Sequence, residues 1–172
     1  MVAPPPLVAH EVALRRRVFT RSQAVQACTA LNLPLLVAGD GRDRARLERL
    51  AGPTVKFLGR VPEADLPALL AGCRAFIFPG LEDFGITPVQ ALAAGRPVVA
   101  FAGGGALDIV QDGVNGVLFH ESTVAALSAA LEQVARLPVD PPALRASAAR
   151  FDRPVFEAQL QAFLREKTGQ PA

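Results

Sequence analysis

Glu82 and Gln90 flank Gly85-Ile86-Thr87-Pro88 in the stretch Phe78-Pro-Gly-Leu-Glu-Asp-Phe-Gly-Ile-Thr-Pro-Val-Gln-Ala-Leu-Ala-Ala-Gly95. A carboxylate and an amide both hold hydroxyl groups. A helix opening between them turns its unpaired N–H groups and the positive end of its dipole outward, where a phosphate is a natural guest. Thr87 is placed to cap that helix over Pro88–Ala94, and Pro88 suits its first position. Gln90 then completes a Thr-x-x-Gln capping box, and Gly85 lets the backbone approach a ligand closely. This chemistry suits an anion that also carries hydroxyls, such as a nucleotide diphosphate. On local spacing alone a plainer reading stays open, with Glu82 and Asp83 a solvated acidic loop and Gln90 only a cap.

Other candidate motifs carry less. Gly103-Gly-Gly105 lacks the third glycine of a dinucleotide fingerprint, because position 108 is Asp, and Gly39-Asp-Gly41 is a tight turn. No P-loop lysine, Ser/His/Asp nucleophile motif or paired metal carboxylates appear, and His10 and His120 stand alone, so no metal site is expected. Cys28 and Cys73 lie far apart in apolar patterns and read as small buried hydrophobes of a reducing compartment, which implies a cytoplasmic protein. A net charge of +2 argues against a nucleic-acid partner, and Arg15-Arg16-Arg17 has no stacking aromatics around it. That run reads as a solvated face or loose arm, with an anionic membrane surface as the functional alternative. Nothing reaches the roughly 18 apolar residues of a membrane span. No basic-then-apolar leader opens the chain, so a signal peptide is not expected.

The elements that must position these residues follow from periodicity. With 51% hydrophobic and 20% charged residues, the chain has a globular composition. Short Val/Leu/Ala runs at Leu35–Ala38, Val55–Leu58, Ala75–Phe78, Pro97–Phe101 and Val117–Phe119 predict buried strands of a parallel sheet. Helices are expected between them, followed by a long one over Ser122–Leu137 and two helical pieces ending near Arg165. The alternation predicts an α/β fold with a Rossmann-like doubly wound parallel sheet. Residues 1–20 are expected to be an irregular N-terminal arm, or weak helix, ahead of one domain over 21–168. The loops at 39–41, 59–62, 79–87 and 102–105 all follow strands, so they share one rim.

Taken together these motifs resemble the C-terminal lobe of family-four retaining glycosyltransferases of the two-lobed GT-B architecture. The resemblance rests on Leu36-Val-Ala-Gly-Asp-Gly41, Val55-Lys-Phe-Leu-Gly-Arg-Val61, the run from Ala75 through Val99, Gly104-Gly-Ala-Leu-Asp-Ile-Val110 and Asp112-Gly-Val-Asn-Gly116, and it covers residues 21–165. It implies a single donor lobe that binds a nucleotide-sugar as substrate, without a metal or other cofactor, while an N-terminal lobe binds the acceptor. It also implies that Arg60 and Val61 lie beside the nucleobase, that Gly85, Ile86 and Thr87 give N–H groups to the diphosphate, and that Glu82 contacts the donor sugar as the catalytic-site carboxylate. Position 90 falls to the ribose. The stretch around Glu82 is most similar to mannosyltransferase-like members, which implies GDP-mannose.

Two departures bear on activity. The family pattern is Glu-x7-Glu, whereas this chain has Glu82-x7-Gln90, so weaker donor binding is expected. The segment before Ala24 offers Arg15–Arg17 and Arg21 but no clear strand and no lysine. The isolated chain is therefore expected to be incomplete without an acceptor-lobe protein. Two alternatives stay open: a non-catalytic nucleotide-binding module or truncated remnant, and a dinucleotide-dependent oxidoreductase, which the absent glycine fingerprint disfavours.

Overall fold

The computed structural model describes residues 5–10 and 22–168. The apolar runs form the strands Leu7–His10 (β1), Leu35–Ala38 (β2), Val55–Gly59 (β3), Phe76–Phe78 (β4), Val98–Phe101 (β5) and Gly116–Phe119 (β6). All pair in parallel in the order β3-β2-β1-β4-β5-β6. Between them lie the helices Ser22–Ala30 (α1), Arg44–Leu50 (α2), Leu66–Ala71 (α3), Ile86–Ala93 (α4) and Ala106–Ile109 (α5). The helices Val124–Arg136 (α6), Pro141–Ala148 (α7) and Arg153–Thr168 (α8) follow.

Side chains alternate across each strand, and the sheet divides the core accordingly. Leu7, Ala9, Leu35, Val37, Ile77 and Val99 face α1, α2 and α6, meeting Cys28, Leu47, Leu127 and Leu131. Val8, Phe76, Val98 and Ala100 face α3, α4, α5 and α7, meeting Leu70, Leu92, Ile109 and Leu144. Covered on both faces, the central strands can afford no polar side, which is why they read as unbroken apolar runs. No residue of α8 is buried, so this helix lies outside both core layers. Among the described residues no helix is long and apolar enough to cross a membrane.

One expectation fails at the N-terminus. Residues 7–10 are not an irregular arm but the strand β1, lying between β2 and β4. Leu7 N–H donates to Pro34 O at 2.8 Å, Val8 N–H to Ala75 O at 3.1 Å, and Pro6 O accepts from Arg74 N–H at 2.8 Å. Three apolar residues are too few to show a period, and the prolines ahead of them read as breakers. A proline just before a strand takes no ladder donor away, so the run pairs on both edges. The rest of the expected arm, with Arg15–Arg17 and Arg21, lies outside the described residues.

Cys28 and Cys73 are free and fully buried. Desolvation raises the Cys28 thiol to about 12 and the Cys73 thiol to about 11. Both folded values lie above the ordinary thiol value of 9.0, so the stability these neutral thiols contribute is complete below about pH 9. It is lost as pH rises towards the folded values. A maleimide or dithiobis-nitrobenzoate reagent at pH 8 is expected to label neither cysteine in the native chain and both in denaturant, with mass spectrometry as the readout. Labelling of the native chain at the denatured rate would contradict this burial.

Candidate functional site

The strand order reverses between β1 and β4, and ligands in open α/β sheets bind beyond the carboxyl ends of the strands at such a switch point. At the carboxyl ends of the strands a cleft of about 640 Å³ opens between the segments after β3 and β4. The loop after β3 supplies Arg60, Val61 and Pro62, and the chain running on through a 3-10 turn into α3 adds Glu63 and Leu66. The loop after β4 and the start of α4 supply Glu82, Gly85, Ile86, Thr87 and Gln90, with Asp83 and Phe84 between them. Every site residue predicted from sequence thus lines this one cleft. Pro62, Glu63, Leu66 and Phe84 were not singled out by sequence. Their signal is position alone, since they adjoin predicted residues on the same two segments.

The entry of α4 differs from expectation in a way that matters for anion binding. The helix begins at Ile86, not Pro88, and Gly85 is its N-cap, with φ +83° in the left-handed region and no side-chain cap. Thr87 is the second helical residue and is buried, so the Thr-x-x-Gln box does not form. Pro88 misled the reading because proline favours the first helical position. It is tolerated at the third as well, since the N–H groups of the first turn have no intrahelical partner. Among the described residues, the donors of this helix end that lack a hydrogen-bond partner are therefore the N–H groups of Gly85, Ile86 and Thr87, and no side chain caps them. Gln90 is exposed in the cleft one turn further on.

Gly103-Gly-Gly105 also acquires a role that no fingerprint assigns. Gly105 N–H donates to Glu82 O at 2.8 Å, pinning the loop that lines the cleft. A Cβ on Gly104 would overlap the Glu82 carbonyl oxygen, and one on Gly105 the Phe84 carbonyl oxygen. The triplet lets two backbones pack directly, so that the loop after β5 buttresses the loop after β4. The electrostatics are mixed: among the described residues Arg60 is the cation lining the cleft, set against the carboxyl groups of Glu63, Glu82 and Asp83. Among the described residues no three His, Cys, Asp or Glu side chains stand where they could hold a metal ion together.

The model of the family described as glycosyl transferases group 1 matches residues 15–151. Glycogen synthase of Mycobacterium tuberculosis is 35% identical over 153 residues, covering 79% of this chain and 36% of that protein. A GDP-mannose-dependent monoacylated alpha-(1-6)-phosphatidylinositol monomannoside mannosyltransferase of Corynebacterium glutamicum is 34% identical, covering 73% of this chain and 34% of that protein. The crystal structure of Anabaena HepE in complex with UDP and glucose superposes with a TM-score of 0.72 at 26% identity, covering 93% of this chain and 48% of that one. The chain thus spans about a third of the length of these curated relatives. Its six-stranded parallel sheet with flanking helices is α/β and Rossmann-like, and matches the fold of GT-B glycosyltransferase structures. With the family model matched across both core layers and the whole cleft, the chain belongs to the glycosyl transferases group 1 family.

Proposed function

We propose that this chain is the donor-binding lobe of a retaining hexosyltransferase that uses a nucleotide-sugar. The observation that carries the reading is the shared cleft, which joins a helix N-terminus with uncapped donors to a carboxylate, an amide and an arginine-bearing loop. Gly85, Ile86 and Thr87 direct N–H groups at the diphosphate, Glu82 holds donor-sugar hydroxyls, Gln90 holds the ribose, and Arg60 and Val61 border the nucleobase. The chemistry is charge stabilisation: as the glycosidic bond to the leaving diphosphate breaks, negative charge grows on the phosphate oxygens, and fixed backbone donors strengthen their hold on it. The proposal calls for no metal and no protein nucleophile. GDP-mannose is the first donor we assign, supported by the similarity to a GDP-mannose-dependent relative. UDP-glucose is the second, supported by the likeness to HepE bound to UDP and glucose. Transfer would require an acceptor-binding half, which a partner polypeptide or further chain would supply.

A second reading, a nucleotide-binding module without catalysis, is favoured by Gln90, whose neutral amide makes a hydrogen bond about half as strong as a carboxylate's. Isothermal titration of the chain with GDP, UDP, GDP-mannose and UDP-glucose tests both. We expect nucleoside diphosphates to bind and the matching nucleotide-sugar to bind more tightly. Equal affinity for nucleotide and nucleotide-sugar favours the bare module, and no heat at millimolar ligand sinks the donor reading.

A further inference from the structure

A single helical turn such as α5 does not hold itself together; this one is gripped at both ends. At its start Gly105 N–H donates to Glu82 O, inside the loop that lines the cleft. At its end the carbonyl of Ile109 accepts from Asn115 Nδ2 at 3.1 Å, and Gln111 N–H donates to Asn115 Oδ1 at 2.7 Å. Asn115 is 2% exposed. Its Nδ2 also reaches Ser147 Oγ of α7 at 3.3 Å, and its backbone carbonyl accepts from Val98 N–H of β5 at 3.2 Å. The amide is thus fixed by the sheet and α7 on one side while it holds α5 on the other. Between the two grips Ile109, itself buried, lies beneath the helix entry: its Cδ1 sits 3.3 Å from where a Cβ on Gly85 would stand.

We propose that Asn115 is a positioning residue for the phosphate-binding end of α4. Through α5 and the Ile109 side chain it sets the height of Gly85, and with it the aim of the Gly85, Ile86 and Thr87 N–H groups. The inference rests on the reading of those groups as diphosphate donors. A buried, fully engaged amide has a general structural value too, so the test must separate local aim from global stability.

Hydrogen exchange by mass spectrometry on the full chain does so without any ligand. Asn115→Ala leaves the Ile109 carbonyl and the Gln111 N–H without their partner. It is expected to speed exchange in peptides covering 84–91 about tenfold, with the β2 peptide unchanged. Ile109→Val removes the methyl beneath Gly85 and keeps every Asn115 bond; it should raise exchange at 84–91 in the same way. Ser147→Ala, which removes only the bond to α7, should leave 84–91 alone. If Asn115→Ala fails to fold, Ile109→Val decides. A uniform rise across the chain, or none at 84–91, overturns the proposal. Titration supplies the second arm: Asn115→Ala should erode the affinity advantage of GDP over guanosine about tenfold, a ratio that a merely destabilised fold leaves intact. If the parent chain shows no such advantage, the phosphate reading falls, and the assignment of Asn115 to it falls too. An unchanged advantage in Asn115→Ala removes the role of Asn115 alone.

Discussion

Gly105→Ala is expected to destabilise the chain by about 2–3 kcal/mol and to abolish nucleotide binding. The added methyl would overlap the Phe84 carbonyl oxygen, with Phe84 C at 2.6 Å and Asp83 O at 2.8 Å from it. All three atoms are backbone, so no rotamer change relieves the contact; either the loop after β5 or the loop after β4 must move. The backbone at Gly105, φ −60° and ψ −18°, is one that alanine adopts freely, so conformational strain contributes nothing and the cost is steric alone. Moving the loops apart breaks the Gly105 N–H to Glu82 O bond and displaces the segment that carries Glu82 to Gly85. Urea unfolding should show a lower midpoint at unchanged slope, as expected when stability changes and compactness does not. Gly80→Ala in the same loop is the control, because a Cβ there meets nothing within 4 Å. A Gly105→Ala variant with the parent's midpoint and affinity would show that the two loops do not depend on one another.

How much of this was legible in the sequence depends on what each residue signals locally. The strands β2 to β6 and the rim they build could be read because each apolar run is bounded by turn residues and the connections are short. β1 could not, since Leu7–His10 gains its place from neighbours on both edges, and pairing of this kind leaves no period in three apolar residues. The candidate site residues come together in one cleft, yet the detail of the helix entry was misread. Thr87 and Pro88 each fit a capping rule, whereas the structure satisfies a different demand. Gly85 must turn through a left-handed conformation for the chain to leave β4 and enter α4, and that turn fixes the first helical residue. Gly103-Gly-Gly105 failed as a motif because its partner, the backbone of 82–84, is distant in sequence and invisible to any spacing rule. Asn115 was legible only as one residue of the Asp112-Gly-Val-Asn-Gly116 motif. Its link to Ile109 and Ser147 depends on how α5 and α7 stack, which tertiary packing alone decides.

Glu82→Ala is expected to weaken binding of the cognate nucleotide-sugar roughly 10- to 100-fold, the loss of one or two hydrogen bonds to a charged group. The bare nucleoside diphosphate should bind as before. The substitution is clean in one respect: the bond that pins this loop uses the Glu82 backbone carbonyl, which any residue provides, so the loop stays tied to Gly105. Glu82→Gln keeps an acceptor and loses the charge, and should fall between the two, near half the effect in free energy. Calorimetry reads the outcome as a ratio of affinities, nucleotide-sugar over nucleotide, which cancels any general weakening of the cleft. Gln90 supplies the contrast, since a residue that reads the ribose touches a part common to both ligands. Restoring the carboxylate with Gln90→Glu should tighten both equally and leave the ratio where it was. A Glu82 substitution that lowers both affinities alike would assign that side chain to the shape of the loop rather than to the sugar. The donor reading would then rest on the helix N-terminus alone.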